Sequence, residues 1–238
     1  MPVLLSFYHL GDNMKTTAVE TMKQYLINLK RRPDRLQQFY DRYPTHIEVV
    51  YGFDGQNPEN ENANELQTFH ALSPRLMPGE KGCFISHVRI YQDMIDKNIP
   101  FAVVMEDDAI FCENFKEKLN EVVNELPNDF QILYFGGRFQ PEFKMDPDTC
   151  QPVSNTIVGY PPIQWNQRTP WMHDRTTHGY IVSRAMAIWF MEQFRMDITT
   201  HLAIDHWMIK LCMDHGVKIL SANPLLAHSP WVSDSDIR

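Results

Sequence analysis

Apolar and polar positions along this chain alternate between two periods. Short apolar runs of strand length occur at Tyr25–Leu29, His46–Tyr51, Phe101–Met105, Phe130–Phe135, Gly179–Val182 and Val217–Leu220. Between them, apolar residues recur at helical spacing. They predict helices over Asp34–Tyr43, from Pro78 towards Lys97 (Phe84, Val88, Tyr91 and Ile95 on one face), and through Phe115, Leu119, Val122 and Leu126. Two more follow over about 184–194 and over Ala203–His215, the last closed by Gly216. Strands separated by helices point to one α/β domain with a mostly parallel sheet. Phe101–Met105 is apolar without a break, as expected for a parallel strand buried on both faces.

The pattern fails in three places. Residues 1–23 have mixed polarity and read as an N-terminal extension to a single domain over 24–238. The Asn- and Glu-rich stretch 56–64 reads as a surface loop. Residues 138–177 carry six prolines and no period, which predicts one long loop; loops of that length in a compact domain are usually functional.

The strand Phe101–Met105 runs straight into Glu106-Asp107-Asp108. Ligands of open α/β sheets bind beyond the carboxyl ends of strands. Adjacent carboxylates there raise one another's pKa unless a cation offsets them. A hard divalent ion with oxygen ligands, Mn²⁺ or Mg²⁺, fits that need and could also hold a diphosphate. The same triplet also reads as a solvated acidic turn before a helix starting near 113, where carboxylates suit the helix dipole. The turn from Asn28 to Arg35 holds Arg31, Arg32 and Arg35, either to contact phosphates or as a solvated charged loop. Gly79–His87 opens a helix whose free N–H groups favour anions; alternatively it is a plain helix start with His87 in the core. His178, Asp205 and His228 are isolated polar residues: Asp205 at a helix start suits a cap, and His228 suits either a metal ligand or a surface position.

Charge and cysteine usage narrow the classes. A net charge of −8 opposes nonspecific nucleic-acid binding. The four cysteines are scattered singly, which fits neither paired zinc-finger spacing nor a disulfide framework and predicts reduced core residues. No run reaches the roughly 20 apolar residues of a membrane span, and the opening segment lacks a signal-peptide pattern, so the expectation is a cytoplasmic protein.

In their order, these segments resemble glycosyltransferase family 25, which includes bacterial lipooligosaccharide sugar transferases and the collagen hydroxylysine galactosyltransferases. The matching residues are Leu26-Ile27-Asn28-Leu29 with Arg32-Pro33-Asp34-Arg35, Phe53-Asp54-Gly55, Gly79-Glu80 with Gly82-Cys83 and Ser86-His87, and Glu106-Asp107-Asp108. They continue with Ile132–Gly136, Gly179–Ser183, Ile204-Asp205, and the tail Ser221–Leu226 with Ser233–Asp236. The stretches Gly82–His87 and Val232–Asp236 resemble the collagen-modifying branch more closely.

The resemblance implies a GT-A-type, Rossmann-like fold and inverting transfer of a hexose, galactose or glucose, from a UDP-sugar to an acceptor hydroxyl on a glycan or a hydroxylysine-type protein. It implies that Asp108, with Asp107 or Glu106, ligates Mn²⁺ or Mg²⁺, with His228 completing the shell. Asn28, Arg32, Arg35, Asp54, Glu80, Ser86, His87, Glu106 and Asp107 would bind the nucleotide sugar. The base for the acceptor hydroxyl would be Asp205, or Asp174, and residues 138–177 would form the acceptor-side loop. The rival readings are a nucleotide-sugar hydrolase or nucleotidyltransferase on the same fold, a glycan- or protein-binding module without catalysis, and an iron site built from His173, Asp174 and His228.

Overall fold

The computed structural model describes residues 19–43, 47–137, 150–159 and 176–229. In chain order its elements are β1 (Lys23–Asn28), α1 (Pro33–Arg42), β2 (Glu48–Tyr51), α2 (Ala63–Ala71), α3 (Pro78–Asp96), β3 (Phe101–Glu106), β4 (Ile110–Phe111) and α4 (Phe115–Asn124). There follow β5 (Ile132–Tyr134), β6 (Gly136–Gly137), β7 (Gln151–Pro152), β8 (Ile157–Gly159), β9 (Gly179–Ser183), α5 (Arg184–Met196), α6 (Ile204–Asp214), β10 (Ile219–Ala222) and β11 (Ala227–His228).

The central sheet has the order β2-β1-β3-β9-β5-β10-β8-β7. Following the pairings across it, six of the eight strands point one way, and β9 and β8 oppose them. The fold is therefore the expected α/β type with a mostly parallel central sheet.

The pleat explains the layers. Tyr25, Ile27, Ala102, Val104, Ile132, Tyr134, Tyr180 and Val182 face a core shared with α3, α5 and α6. The intervening residues Leu26, Val103, Met105, Leu133, Ile181 and Leu220 face a second core with α1 and α4. The continuous apolar runs of the sequence are thus strands covered on both faces, and Tyr25, Leu26, Val103 and Val104 are wholly buried.

After β1 the chain passes through α1 to β2 on one side, then through α3 to β3 on the other. That reversal opens a crevice at the carboxyl ends of β1 and β3, the place where α/β sheets take ligands.

Three expectations change. The 56–64 stretch is not wholly loop: Asn62 Oδ1 accepts from Glu65 N at 3.0 Å and starts α2 at Ala63, a short helix whose one buried side chain, Phe69, left little periodic signal. Residues 150–159 are not aperiodic either: β7 and β8 form a hairpin that adds to the edge of the sheet through β10. And the acidic triplet does not lead directly into a helix at 113; β4 intervenes, pairs with β11, and α4 begins at Phe115. No described helix is long and apolar enough to cross a membrane.

Candidate functional site

Side-chain alternation divides the three carboxylates. Glu106 continues the face of Ala102 and Val104 and turns to α3, where its Oε1 lies 3.3 Å from His87 Nε2. Asp107 takes the opposite side. Its N–H donates to Ile27 O at 3.1 Å, and its carboxylate accepts from Asn28 Nδ2 at 2.7 Å and from Arg35 Nη1 at 3.3 Å. Asp108 lies between, with Arg35 Nη2 at 3.8 Å from Oδ2 and His178 Nε2 at 3.3 Å from Oδ1. That Oδ1 is buried and has no well-directed hydrogen bond among the described residues.

His178 arrives because β9 is antiparallel to β3. Met105 faces Gly179 in the register, so the residue before β9 lands at the end of β3. A parallel strand would have entered from the other end of the sheet. Its Nδ1 lies 2.5 Å from Thr176 Oγ1. Glu106, Asp108 and His178 offer ligand atoms within 4.8 Å of one another.

Electrostatics follow this geometry. Burial alone would lower the His178 pKa, but the Asp108 and Glu106 carboxylates outweigh it and raise it to about 9. Burial alone would raise Glu106, but the charge of His178, followed by the contact with the His87 imidazole, holds it below the usual carboxylate range. Asp107 is raised to about 7 by burial, opposed by Arg35 and Asn28 and reinforced by Asp108 and Glu106.

The second wall is the Phe53-Asp54-Gly55 turn seated on α3. Ser86 Oγ accepts from Phe53 N at 2.9 Å and donates to Gly82 O at 2.7 Å. A Cβ on Gly82 would stand 2.6 Å from Phe53 O, and one on Gly55 only 1.8 Å from Pro78 O. The glycines thus permit a backbone contact. Between the walls is a cleft of about 80 Å³ lined by Asn28, Arg31, Arg35, Asp54, Cys83, Ser86 and the acidic triplet, among others. A larger cavity of about 520 Å³, near Arg42, Phe111 and Phe115, touches none of the triplet. The smaller cleft is the candidate site because the convergent charges line it.

Most of the expected residues converge, with differences. Arg31, not Arg32, lines the cleft and pairs with Asp54 at 3.0 Å. Arg32 turns to Asp34, 2.8 Å away. Glu80 lies at the rim of α3 and accepts from Met77 N at 2.8 Å, which is a helix-cap contact. Ser86 and His87 are buried and shape the wall. Asp205 lies in the first turn of α6, accepts from His206 N at 2.7 Å, and is near enough for its charge to raise His178. His228 pairs through β11 with Ile110 and Gly137, and burial followed by the charge of His178 lowers its pKa. Among the described residues it lies outside the 4.8 Å ligand groups, and its buried Nδ1 has no well-directed hydrogen bond there. Asp174, His173 and Ser233–Asp236 fall outside the described residues. His178 and Cys83, absent from the expected site, both belong to it. The signal for His178 was its place directly before a strand; for Cys83 it was the one-turn spacing from His87.

The family model described as "Glycosyltransferase family 25 (LPS biosynthesis protein)" matches residues 21–208. Procollagen galactosyltransferase 2 of Homo sapiens is 30% identical over 179 residues, covering 67% of this chain and 25% of that protein. A glycosyltransferase 25 family member of Drosophila melanogaster is 27% identical over 151 residues, 57% of this chain and 24% of that one. A procollagen lysyl hydroxylase and glycosyltransferase of Acanthamoeba polyphaga mimivirus is 28% identical over 161 residues, 57% and 17% of the two. The chain thus spans about a quarter or less of the length of these curated relatives. Among solved structures, mouse xyloside xylosyltransferase 1 in its apo form aligns with a TM-score of 0.41 and 15% identity, over 82% of this chain and 69% of that one. That likeness is too distant to inform the site.

Proposed function

Because this chain belongs to glycosyltransferase family 25, we propose that it transfers a hexose, galactose or glucose, from a UDP-sugar to an acceptor hydroxyl, with inversion and with the help of Mn²⁺ or Mg²⁺. The observation that carries this reading is Asp108 Oδ1, buried at the lip of β3 with no well-directed hydrogen bond among the described residues, while Glu106 and His178 stand beside it. Two carboxylates and an imidazole suit a hard-to-borderline divalent ion. Glu106, Asp108 and His178 would hold it, with His228 in reserve. When bound, the ion offsets the charge that grows on the departing diphosphate.

The chain's own groups do the rest. Asn28 fixes Asp107 against the end of β1, which leaves Asp108 to face the cleft. Arg35 bridges Asp107 and Asp108 and can exchange one carboxylate for a phosphate oxygen. Arg31 and Asp54 close the nucleotide end of the cleft. Asp205, or Asp174, takes the proton from the acceptor hydroxyl as it attacks. The acceptor is a glycan or a hydroxylysine-type side chain, in keeping with relatives named for procollagen galactosyl transfer.

The test is UDP-induced thermal stabilisation together with UDP release from UDP-galactose and UDP-glucose, each with Mn²⁺ and with chelator. Acceptor-dependent release and stabilisation that both vanish in chelator are expected. Undiminished stabilisation by UDP in chelator would remove the ion from the site, and rapid release without any acceptor would favour a hydrolase.

A further inference from the structure

Cys83 and His87 are one helical turn apart on α3 and present the same face to the end of β3. Cys83 Sγ, an imidazole nitrogen of His87 and a carboxylate oxygen of Glu106 all lie within 4.8 Å of one another. His87 is fully buried, whereas Cys83 and Glu106 line the cleft, so the group has one open side.

The hydrogen atoms around His87 can be placed by following the bonds inward. Tyr91 Oη donates to Met208 Sδ at 3.2 Å. With that proton committed, the 3.1 Å contact between Tyr91 and Tyr180 uses the Tyr180 proton. Tyr180 Oη must then accept at 2.7 Å from His87 Nδ1–H. A neutral imidazole protonated on Nδ1 carries a lone pair on Nε2. That lone pair faces Glu106 Oε1 at 3.3 Å. Two acceptors so placed need a cation or a proton between them.

We propose that Cys83, His87 and Glu106 form a site for Zn²⁺, with a fourth position open to the cleft. The sulfur, nitrogen and oxygen set suits zinc better than Mn²⁺ or Mg²⁺. Tetrahedral zinc, with bonds of about 2.0–2.3 Å, places its ligand atoms ~3.3–3.8 Å apart. The His87–Glu106 pair already has that separation, and Cys83 Sγ belongs to the same group within 4.8 Å. The bond from Nδ1–H to Tyr180 is the outer contact that orients a metal-bound imidazole. On binding, the Cys83 thiol releases its proton to solvent, and no group is oxidised or reduced. Glu106 also belongs to the Glu106–Asp108–His178 group, so zinc would compete with the transfer ion for one carboxylate. That competition rests on the proposed function; the zinc site does not.

Co²⁺ serves as the visible probe on the full chain. One equivalent should raise a thiolate-to-cobalt charge-transfer band that added Zn²⁺ bleaches. Cys83→Ser, checked for an unchanged melting curve, should lose the band. Asp108→Ala should keep it, because Asp108 belongs only to the neighbouring group. His87→Gln should weaken Co²⁺ binding about 10-fold or more. No band in the parent, a band that survives Cys83→Ser, or a band lost in Asp108→Ala would each overturn the site. Mn²⁺-dependent UDP binding, measured on the same samples without zinc, reports the proposed function separately, so either reading can fail alone.

Discussion

Asn28 Nδ2 lies 2.7 Å from Asp107 Oδ2, joining the ends of β1 and β3 across 79 residues of sequence. The bond is buried, and the same Asn28 nitrogen also reaches Arg32 O at 3.0 Å. One side chain therefore ties the basic turn to the acidic one. Asn28→Ala removes the Nδ2 bond to Asp107 Oδ2, leaving Arg35 as its remaining named side-chain partner, and should cost about 1–3 kcal/mol of stability, read by urea unfolding. Asn28→Asp should cost more, by setting a second carboxylate against Asp107. If both variants unfold like the parent, the bond does not hold the site together.

Asp108 makes few bonds within the chain, so its replacement should spare the fold. Asp108→Asn is expected to melt within a few degrees of the parent yet lose about 100-fold or more of divalent-dependent sugar transfer. Parallel melting curves and initial rates would show this. A variant that keeps its rate would exclude Asp108 from holding the ion.

Gly82 is constrained by contact rather than by dihedral angle. The alanine methyl of Gly82→Ala would press on Phe53 O and Gly55 N, at 2.6 and 2.9 Å, both backbone atoms that cannot rotate away. We expect destabilisation of about 1–3 kcal/mol, with weaker nucleotide binding because the Phe53–Gly55 turn forms one wall of the cleft. Unchanged stability and affinity would mean the turn moves freely on α3.

Asp93 supplies a pH dependence away from the cleft. Burial opposes its ionisation, but Lys97 at 2.8 Å and the Tyr25 hydroxyl at 2.6 Å more than offset this and lower its pKa. A carboxylate lowered on folding contributes stability above its unfolded pKa, and that contribution is lost as pH falls through the folded value. Asp93→Asn should therefore destabilise the protein slightly at neutral pH and flatten the decline of stability below about pH 4. The effect should stay under about 1 kcal/mol, because the pair is partly exposed to solvent. Equal acid limbs for parent and variant in pH-dependent unfolding would refute it.

Much of the architecture was legible in local pattern. The run Phe101–Met105 read as a strand covered on both faces because burial on both sides demands an unbroken apolar sequence, and β3 is such a strand. α3 and α6 were legible from 3.6-residue spacing, and the end of α6 from Gly216 at φ +68°. α2 was not, since one buried residue sets no period.

The sequence by itself determined that three carboxylates would stand at the end of a buried strand, since an unbroken apolar run and the acidic residues that end it are properties of neighbouring residues. Tertiary structure decided what each would meet. The antiparallel entry of β9 set His178 beside Asp108, α1 aimed Arg35 at the triplet while Arg32 turned to Asp34, and α3 brought Cys83 and His87 to Glu106. Strand direction and helix placement are settled by hydrogen-bond ladders and packing between distant segments, and these leave no trace in local spacing.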